Sequence, residues 1–185
     1  MKSLTYFIFA SITAICIAVA ACSSESQWDT YQEWRMKNEA FYEQQKLVKN
    51  DDGTPFYTLL APTWYSSSGV LIHYFNDRSK TEGNLSPLVT STVDAKYIGR
   101  LYNDIPFDSS FTNTANGDSI FRFQPSSTIT GWQIALTDMR VGDSARVVIP
   151  YQQGYEAQTT GSIPPYSTLV FDIKLVDIYR YELAQ

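Results

Sequence analysis

Aromatic rings and single polar groups concentrate in two blocks of the sequence. The first runs from Lys96 to Phe111 and reads KYIGRLYNDIPFDSSF. The second, from Gly131 to Ile178, joins a Trp-led helix, a Tyr-bearing loop, an Ile-Pro-Pro turn and a strand. An isolated aromatic residue in a chain with 15% aromatic residues is usually ordinary core. Independent core positions rarely produce the order and spacing of these two blocks together, so we expect the residues to form a functional group.

Covalent and metal-assisted chemistry find little support elsewhere in the sequence. His73, the one histidine, falls in a predicted strand with no Gly-x-Ser-x-Gly motif nearby, so we expect a structural histidine rather than a triad base. No Cys/His cluster has metal-ligand spacing, and no glycine-rich loop precedes a helix. Residues 50–53 lack the later ligands of a calcium loop. The sequence therefore predicts neither a metal nor a cofactor.

The two blocks resemble the FKBP family of peptidyl-prolyl cis-trans isomerases, over roughly residues 69–178. That resemblance implies catalysis of rotation about X-Pro amide bonds, which face a barrier of roughly 18–20 kcal/mol without a catalyst. Such rotation needs no nucleophile or metal. A twisted amide is less charge-separated than a planar one, so an apolar pocket favours the twisted state.

Ten residues correspond to the family's site: Tyr97, Phe107, Asp108, Phe121, Thr128, Ile129, Trp132, Tyr155, Ile163 and Phe171. The resemblance makes the aromatic rings the walls of the pocket, with Trp132 as its base. It gives Ile129 a backbone N–H, and Tyr155 a hydroxyl, that bind substrate carbonyls. It puts Asp108 beside the rotating bond and Ile163 at one side. Of these residues, Phe107, Asp108, Tyr155 and Phe171 are the predicted catalytic group.

Several positions depart from the family's pattern. Thr128 stands where an aliphatic residue is common, and Glu156 where glycine is usual. Glycine adopts positive φ cheaply and glutamate does not, so we expect Glu156 to affect the loop's backbone. The segment 111–120 is longer than in minimal members. These departures leave open a catalytically weak chaperone or binding module for Pro-containing segments.

Hydrophobic periodicity predicts an α+β fold. Residues 27–49 form a predicted helix, capped by Ser26 with Asp29, whose aromatic stripe needs a buried partner. Strands are predicted at 69–75, 92–101, 120–123, 144–149 and 168–178. A short helix follows a capping box of Thr130 with Gln133. The resemblance implies a twisted antiparallel sheet wrapped around that helix.

The N-terminus is predicted to be a lipoprotein signal peptide over residues 1–21. Lys2 precedes an uncharged run that ends in small residues before Cys22, which resembles a bacterial lipobox with Cys22 as the lipidated residue. An uncleaved anchor helix is the alternative. Ser23 favours the outer membrane of the cell envelope, facing the periplasm. Residues 22–68 are then a tether, helix and linker extension, and residues 69–185 the isomerase domain.

Charge and composition limit the classes of binding partner that we expect. The formal net charge is −5 and the chain has no basic cluster, so we expect no nucleic-acid partner. Proline-containing polypeptides are the expected substrates, in a protein that assists the folding of exported chains. A docking subunit of an envelope complex is a further alternative. Residues 27–49 are the candidate surface for docking or for a homodimer.

Overall fold

The computed structural model describes residues 26–61, 69–113 and 117–181. The chain divides after Thr30, and a short helix α1 (Gln27–Thr30) belongs to the first unit. The Ser26 hydroxyl donates to the Asp29 carboxylate at 2.6 Å, and the Asp29 N–H donates back to the hydroxyl at 3.3 Å, which confirms the predicted cap. The prediction of one helix over 27–49 is wrong, because a turn at Tyr31 separates α1 from α2 (Gln32–Leu47).

One antiparallel sheet organises the second unit, Tyr31–Gln185. Its strands are β1 (Thr58–Leu60), β2 (Val70–Tyr74), β3 (Thr92–Leu101), β4 (Pro106–Ser109), β5 (Phe121–Phe123), β6 (Ser144–Ile149) and β7 (Leu169–Arg180). The spatial order is β1-β2-β6-β7-β3-β4, and β5 pairs with the first half of β3. Both β4 and β5 therefore lie along the same edge of β3, a placement that brings their residues to one end of the sheet.

Helix α3 (Ser110–Asn113) follows β4, and helix α4 (Thr130–Asp138) packs on one face of this sheet. Its Trp132, Ala135 and Leu136 are buried against inward residues of β3, β6 and β7. Gly131 allows the close approach, because a Cβ there would overlap the side chain of Ile149. This α+β arrangement confirms the predicted fold class.

The predicted capping box at the start of α4 is wrong. Ile129 is the N-cap residue, and Thr130 already has helical geometry, so its hydroxyl cannot cap the helix. The Gln133 side-chain amide instead donates to the Thr128 carbonyl at 2.9 Å. This bond holds the residues just before the helix in place.

Helix α2 covers the opposite face of the sheet. Tyr42 and the half-buried Phe41 pack against Leu71, Val148 and Val170. The aromatic stripe that the sequence left without a partner therefore lies on the chain's own sheet. β1 also pairs with β2, so the sheet begins upstream of residue 69.

A buried carboxylate fixes the connection between β2 and β3. Asp143 accepts hydrogen bonds from the Thr81 hydroxyl at 2.6 Å, the Arg140 N–H at 2.9 Å and the Asn76 side chain at 3.0 Å. Arg78 Nε lies 3.3 Å from the same carboxylate. Burial raises the pKa of Asp143, but these hydrogen bonds and the Arg78 charge outweigh burial and hold the pKa below its usual value.

Among the residues with described coordinates, no helix has both the length and the apolar character needed to cross a membrane. The predicted signal peptide and Cys22 lie outside the described residues.

Candidate active site

An apolar cleft of about 240 Å³ opens between α4 and the edge of the sheet formed by β4 and β5. Ten residues line it: Tyr97, Phe107, Asp108, Phe121, Ser127, Thr128, Ile129, Trp132, Tyr155 and Phe171. Nine of them were predicted. The exception, Ser127, sits in the short 3-10 turn Pro125–Ser127 before α4, and no motif in the sequence singles it out. Ile163 was predicted but does not line the cleft; it is 5% exposed and part of the core.

Four strands, one helix and two loops bring these residues together. β3 supplies Tyr97 and β7 supplies Phe171 from adjacent paired strands, with Phe171 directly opposite Gly99. β4 carries Phe107 and Asp108, and β5 carries Phe121. The loop before α4 and the loop after β6 complete the rim. Residues that lie far apart in sequence therefore meet because β3 pairs with β4, β5 and β7.

The floor of the cleft consists of rings packed edge to face. The centroid of Trp132 lies 5.1 Å from Tyr97 and 5.1 Å from Phe171, with interplanar angles of 89° and 88°. Phe107 meets Phe171 at 5.5 Å and 89°. Such contacts orient each ring beyond what apolar burial alone achieves. The edge-to-face packing therefore sets which ring faces the floor presents to the cleft.

Gly99 makes this packing possible, a role that we did not predict from the sequence. A Cβ at this position would lie 2.6 Å from Phe171 Cε1 and 2.8 Å from Phe107 Cζ. Two rings thus occupy the space where a side chain would stand. A glycine inside a predicted strand marks close approach of other groups, so the signal was present in the Tyr-Ile-Gly-Arg stretch.

A hydrogen-bonded pair of Tyr97 and Asp108 forms one wall. The Tyr97 hydroxyl donates to Asp108 Oδ2 at 2.7 Å, and the Ser109 N–H donates to Oδ1 at 2.8 Å. Burial, and then the hydrogen bond to the carboxylate, raise the pKa of Tyr97 well above its usual value. The phenol therefore stays protonated and keeps the Asp108 carboxylate in one orientation.

Two donors remain for a ligand. Within the described parts of the chain, neither the Tyr155 hydroxyl nor the Ile129 N–H donates a hydrogen bond to another protein group. Burial, and then the negative charge of Asp108, raise the pKa of Tyr155, so its hydroxyl is a neutral donor. A peptide in the cleft could use both donors for its carbonyl groups.

The two departures from the family pattern have local solutions. The Thr128 hydroxyl donates to the Pro125 carbonyl at 2.7 Å, so this polar group has a hydrogen-bond partner in the backbone. Glu156 adopts φ of +53°, the left-handed conformation that glycine would take more cheaply. The loop thus keeps a conformation suited to glycine. The effect that we expected Glu156 to have on the backbone is therefore strain at that residue.

Groups for other chemistry are not assembled in the described residues. They contain no cluster of three or more His, Cys, Asp or Glu side chains suited to a metal. His73 stacks on Phe56 at 3.7 Å, and its Nδ1 lies 2.8 Å from the Phe56 carbonyl. Because a carbonyl only accepts, Nδ1 carries the proton. His73 is a structural residue, as predicted.

Comparison with known proteins agrees with this site. Residues 83–176 match the family of FKBP-type peptidyl-prolyl cis-trans isomerases. The FK506-binding protein 4 of Candida glabrata is 40% identical over 88 residues, which are 48% of this chain and 21% of that protein. The Macrophage infectivity potentiator of Trypanosoma cruzi is 36% identical over 105 residues, 56% of this chain and 52% of that protein. The match therefore spans only part of the curated relatives' length.

Solved structures extend the likeness beyond the matched segment. A peptidyl-prolyl cis-trans isomerase from Pseudomonas syringae pv. tomato aligns with a TM-score of 0.62 and 26% identity, over 80% of this chain and 95% of that one. FkpA from Escherichia coli aligns with a TM-score of 0.64 and 26% identity, over 83% and 64%. Every residue that lines the cleft falls between residues 83 and 176. The chain belongs to the family of FKBP-type peptidyl-prolyl cis-trans isomerases.

Proposed function

We propose that this protein catalyses cis-trans isomerisation of X-Pro bonds by binding the twisted amide in the aromatic cleft. The observation that carries the proposal is the pair of uncommitted donors, Tyr155 hydroxyl and Ile129 N–H, on the rim of a cleft with a floor of rings. The floor suits an apolar proline ring, and the donors suit the carbonyl groups of a peptide. Proline-containing polypeptides are the corresponding substrates.

The rate increase is expected to come from two properties of the cleft. Aromatic walls exclude water from the rotating carbonyl. The loss of hydration destabilises the planar, charge-separated amide more than the twisted amide. The Asp108 carboxylate, held by Tyr97 and Ser109, adds a fixed negative charge at one wall. Beside the carbonyl oxygen, this charge disfavours the planar amide, whose oxygen is the more negative, and so lowers the barrier.

Anchoring the peptide completes the mechanism. If Tyr155 and Ile129 bind carbonyl groups of the peptide, they orient it in the cleft before the X-Pro bond rotates. Freezing these positions before rotation reduces the entropy lost on reaching the transition state. No covalent bond to the protein forms or breaks.

We also propose that Cys22 carries a lipid and holds the protein in the bacterial envelope, at the outer membrane facing the periplasm, where it assists the folding of exported chains. The support is the small-residue run before Cys22 and the serine after it. Mass spectrometry of the N-terminal peptide tests the modification. A mature chain that begins elsewhere, or an unmodified Cys22, would contradict it.

A homodimer through residues 27–49 is a separate proposal. The aromatic face of α2 already covers the sheet, so a second copy would have to contact the outward face, where Met36 is exposed. Analytical ultracentrifugation of wild type and Met36→Glu tests this. A monomer at all concentrations would rule the dimer out.

Cis-trans exchange of short X-Pro peptides, followed by NMR, tests the main proposal. The full chain in mild detergent is compared with Asp108→Ala, Tyr155→Phe and the control Tyr179→Phe, which removes an exposed hydroxyl outside the cleft. We expect wild type and the control to accelerate exchange, and the two cleft variants to be slower. Binding without acceleration would favour the holding module instead, and no binding would favour the docking subunit.

A further inference from the structure

The loop that carries Tyr155 is clamped by a helix outside the family match. Residues 150–168 connect β6 to β7, and Tyr155 reaches the cleft from this loop. Helix α2 packs on the end of the loop that leads into β7, although α2 lies upstream of residue 83, where the family match begins. An element outside the segment that matches the family therefore contacts part of the site's loop.

Asn38 forms the first contact, at the junction of the loop with β7. Its side chain is 0% exposed. Oδ1 accepts the Thr168 N–H at 2.7 Å, and Nδ2 donates to the Trp34 carbonyl within α2 at 2.8 Å. The Thr168 hydroxyl donates to the Asn38 carbonyl at 3.1 Å. A buried amide joins the helix and the loop in one orientation, since any other leaves a polar group unsatisfied.

Trp34 and Arg35 form the second contact. The Trp34 indole N–H donates to the Ser167 hydroxyl at 3.1 Å, and that hydroxyl donates to the Pro164 carbonyl at 2.7 Å. The Arg35 guanidinium lies 5.9 Å from the centre of the Tyr166 ring. Three successive loop residues, 166 to 168, are thus held by one face of α2.

A direct backbone link carries this restraint to the catalytic side of the loop. The Tyr166 N–H donates to the Glu156 carbonyl at 2.7 Å, and the Glu156 N–H donates to the Tyr151 carbonyl at 3.0 Å. Glu156 and Tyr166 have φ of +53° and +61°, which side chains with a Cβ rarely adopt. Strained residues persist where surrounding contacts fix them, and α2 supplies those contacts at Tyr166.

We infer that α2 positions the active-site loop, with Asn38 as the positioning residue through which the helix holds the Tyr155 hydroxyl at the rim of the cleft. This inference rests on the proposed function. Asn38 itself touches no substrate. Its effect on the reaction passes through Thr168, Tyr166 and Glu156 to Tyr155.

Substitutions in α2 of the full chain test the inference. Asn38→Ala removes the buried acceptor. Trp34→Phe removes the indole N–H but keeps an aromatic ring, so this second variant tests the same contact if Asn38→Ala fails to fold. The control Tyr42→Phe removes a bond of the same helix at 2.8 Å, but to the Gly69 carbonyl at the start of β2. We expect the Glu156 and Tyr166 amide protons to exchange about tenfold faster in Asn38→Ala, and unchanged in the control.

Catalysis supplies the second readout. We expect kcat/KM for X-Pro peptides to fall about threefold or more in Asn38→Ala, less in Trp34→Phe, and not in Tyr42→Phe. In a Tyr155→Phe background, the Asn38→Ala substitution should have no further effect, because the group that it positions is already gone. A merely structural role would give the same loss in both backgrounds.

The outcomes separate this inference from the proposed function. Equal losses in Asn38→Ala and Tyr42→Phe, additive effects with Tyr155→Phe, or unchanged amide exchange would each overturn the role of α2. If wild type does not catalyse exchange, the proposed function fails. In that case, two measurements on the same double-mutant cycle decide whether Asn38 positions Tyr155 for binding. These are amide exchange and the peptide affinity from NMR titration.

Discussion

Gly99→Ala is the substitution that most directly tests the floor of the cleft. The new methyl group would lie 2.6 Å from Phe171 and 2.8 Å from Phe107, closer than carbon atoms approach without overlap. Phe171 is 4% exposed and wedged between Trp132 and Phe107, so it cannot withdraw. Phe107 is only half-buried. We therefore expect its ring to swing into the cleft.

The cost follows from the size of the overlap. Adding a methylene-sized group to a packed core costs about 1–3 kcal/mol, and for a chain of this length each kcal/mol lowers Tm by about 2–4 °C. A drop of about 2–12 °C is expected. The displaced ring occupies volume that the substrate needs, and a misplacement near 1 Å can reduce catalysis by about a hundredfold. Activity should thus fall further than stability.

Urea unfolding and peptide exchange, measured on the same sample, separate the two effects. The matched control is Gly83→Ala, since a Cβ at that exposed glycine meets no described atom within 4 Å. The control should keep its activity and unfold at the same or a slightly higher urea concentration. A Gly99→Ala protein with wild-type stability and activity would refute the idea that ring packing requires a glycine.

Four further predictions concern single residues. Tyr155→Phe should weaken peptide binding by about 0.5–1.5 kcal/mol for one neutral hydrogen bond, measured by NMR titration, and no change would remove this hydroxyl from the site. Phe171→Ala should cost on the order of 3–5 kcal/mol in urea unfolding, because it empties a buried ring site; an unchanged midpoint would contradict that burial. Glu156→Gly should raise Tm, since the left-handed φ costs about 1–2 kcal/mol and glycine's extra chain entropy only about 0.5–1 kcal/mol; a lower Tm would mean that the side chain is stabilising. Asp143 has a folded pKa below its usual value near 3.8, so the carboxylate stabilises the fold above that pH and the benefit is lost as pH falls through the folded pKa. Asp143→Asn should therefore be less stable than wild type at pH 7, and the difference in Tm between the two proteins should narrow as pH falls below about 4. A difference in Tm that does not depend on pH would exclude this linkage.

The central strands could be predicted from the sequence almost to the residue. The bounds of β3 and β6 coincide with the predicted ranges 92–101 and 144–149, because both strands are rich in branched and aromatic residues and end at turns. The partner of α2 could not be predicted. A helical stripe shows which face is buried and carries no information about what buries it. β1 was missed for a related reason, since three residues are too few for a periodic pattern.

The structure brings nine of the ten residues taken from the resemblance into one cleft, and the differences are local. The family resemblance implied that Ile163 closes one side of the pocket, whereas its side chain lies in the core. Ser127 was missed because it lies in a short turn that no motif marks. The packing role of Gly99 was missed because one of the two rings over it, Phe171, lies far from it in sequence. A glycine inside a strand indicates that other groups approach closely, but it does not show which groups they are.

The residues of the cleft fall into two physical groups, and this division decides which experiments are informative. Trp132 and Phe171 lie in the core and also line the cleft, so burial and the proposed role in the site apply to the same rings. Substituting them changes stability and catalysis together, and neither effect can be assigned alone. The hydroxyl of Tyr155 contributes little to core packing. Ile129 offers its backbone N–H, which a side-chain substitution does not remove. The Tyr155 hydroxyl is therefore the group whose loss reports on substrate recognition with the least disturbance of the fold, which is why both the catalytic test and the test of α2 depend on Tyr155→Phe.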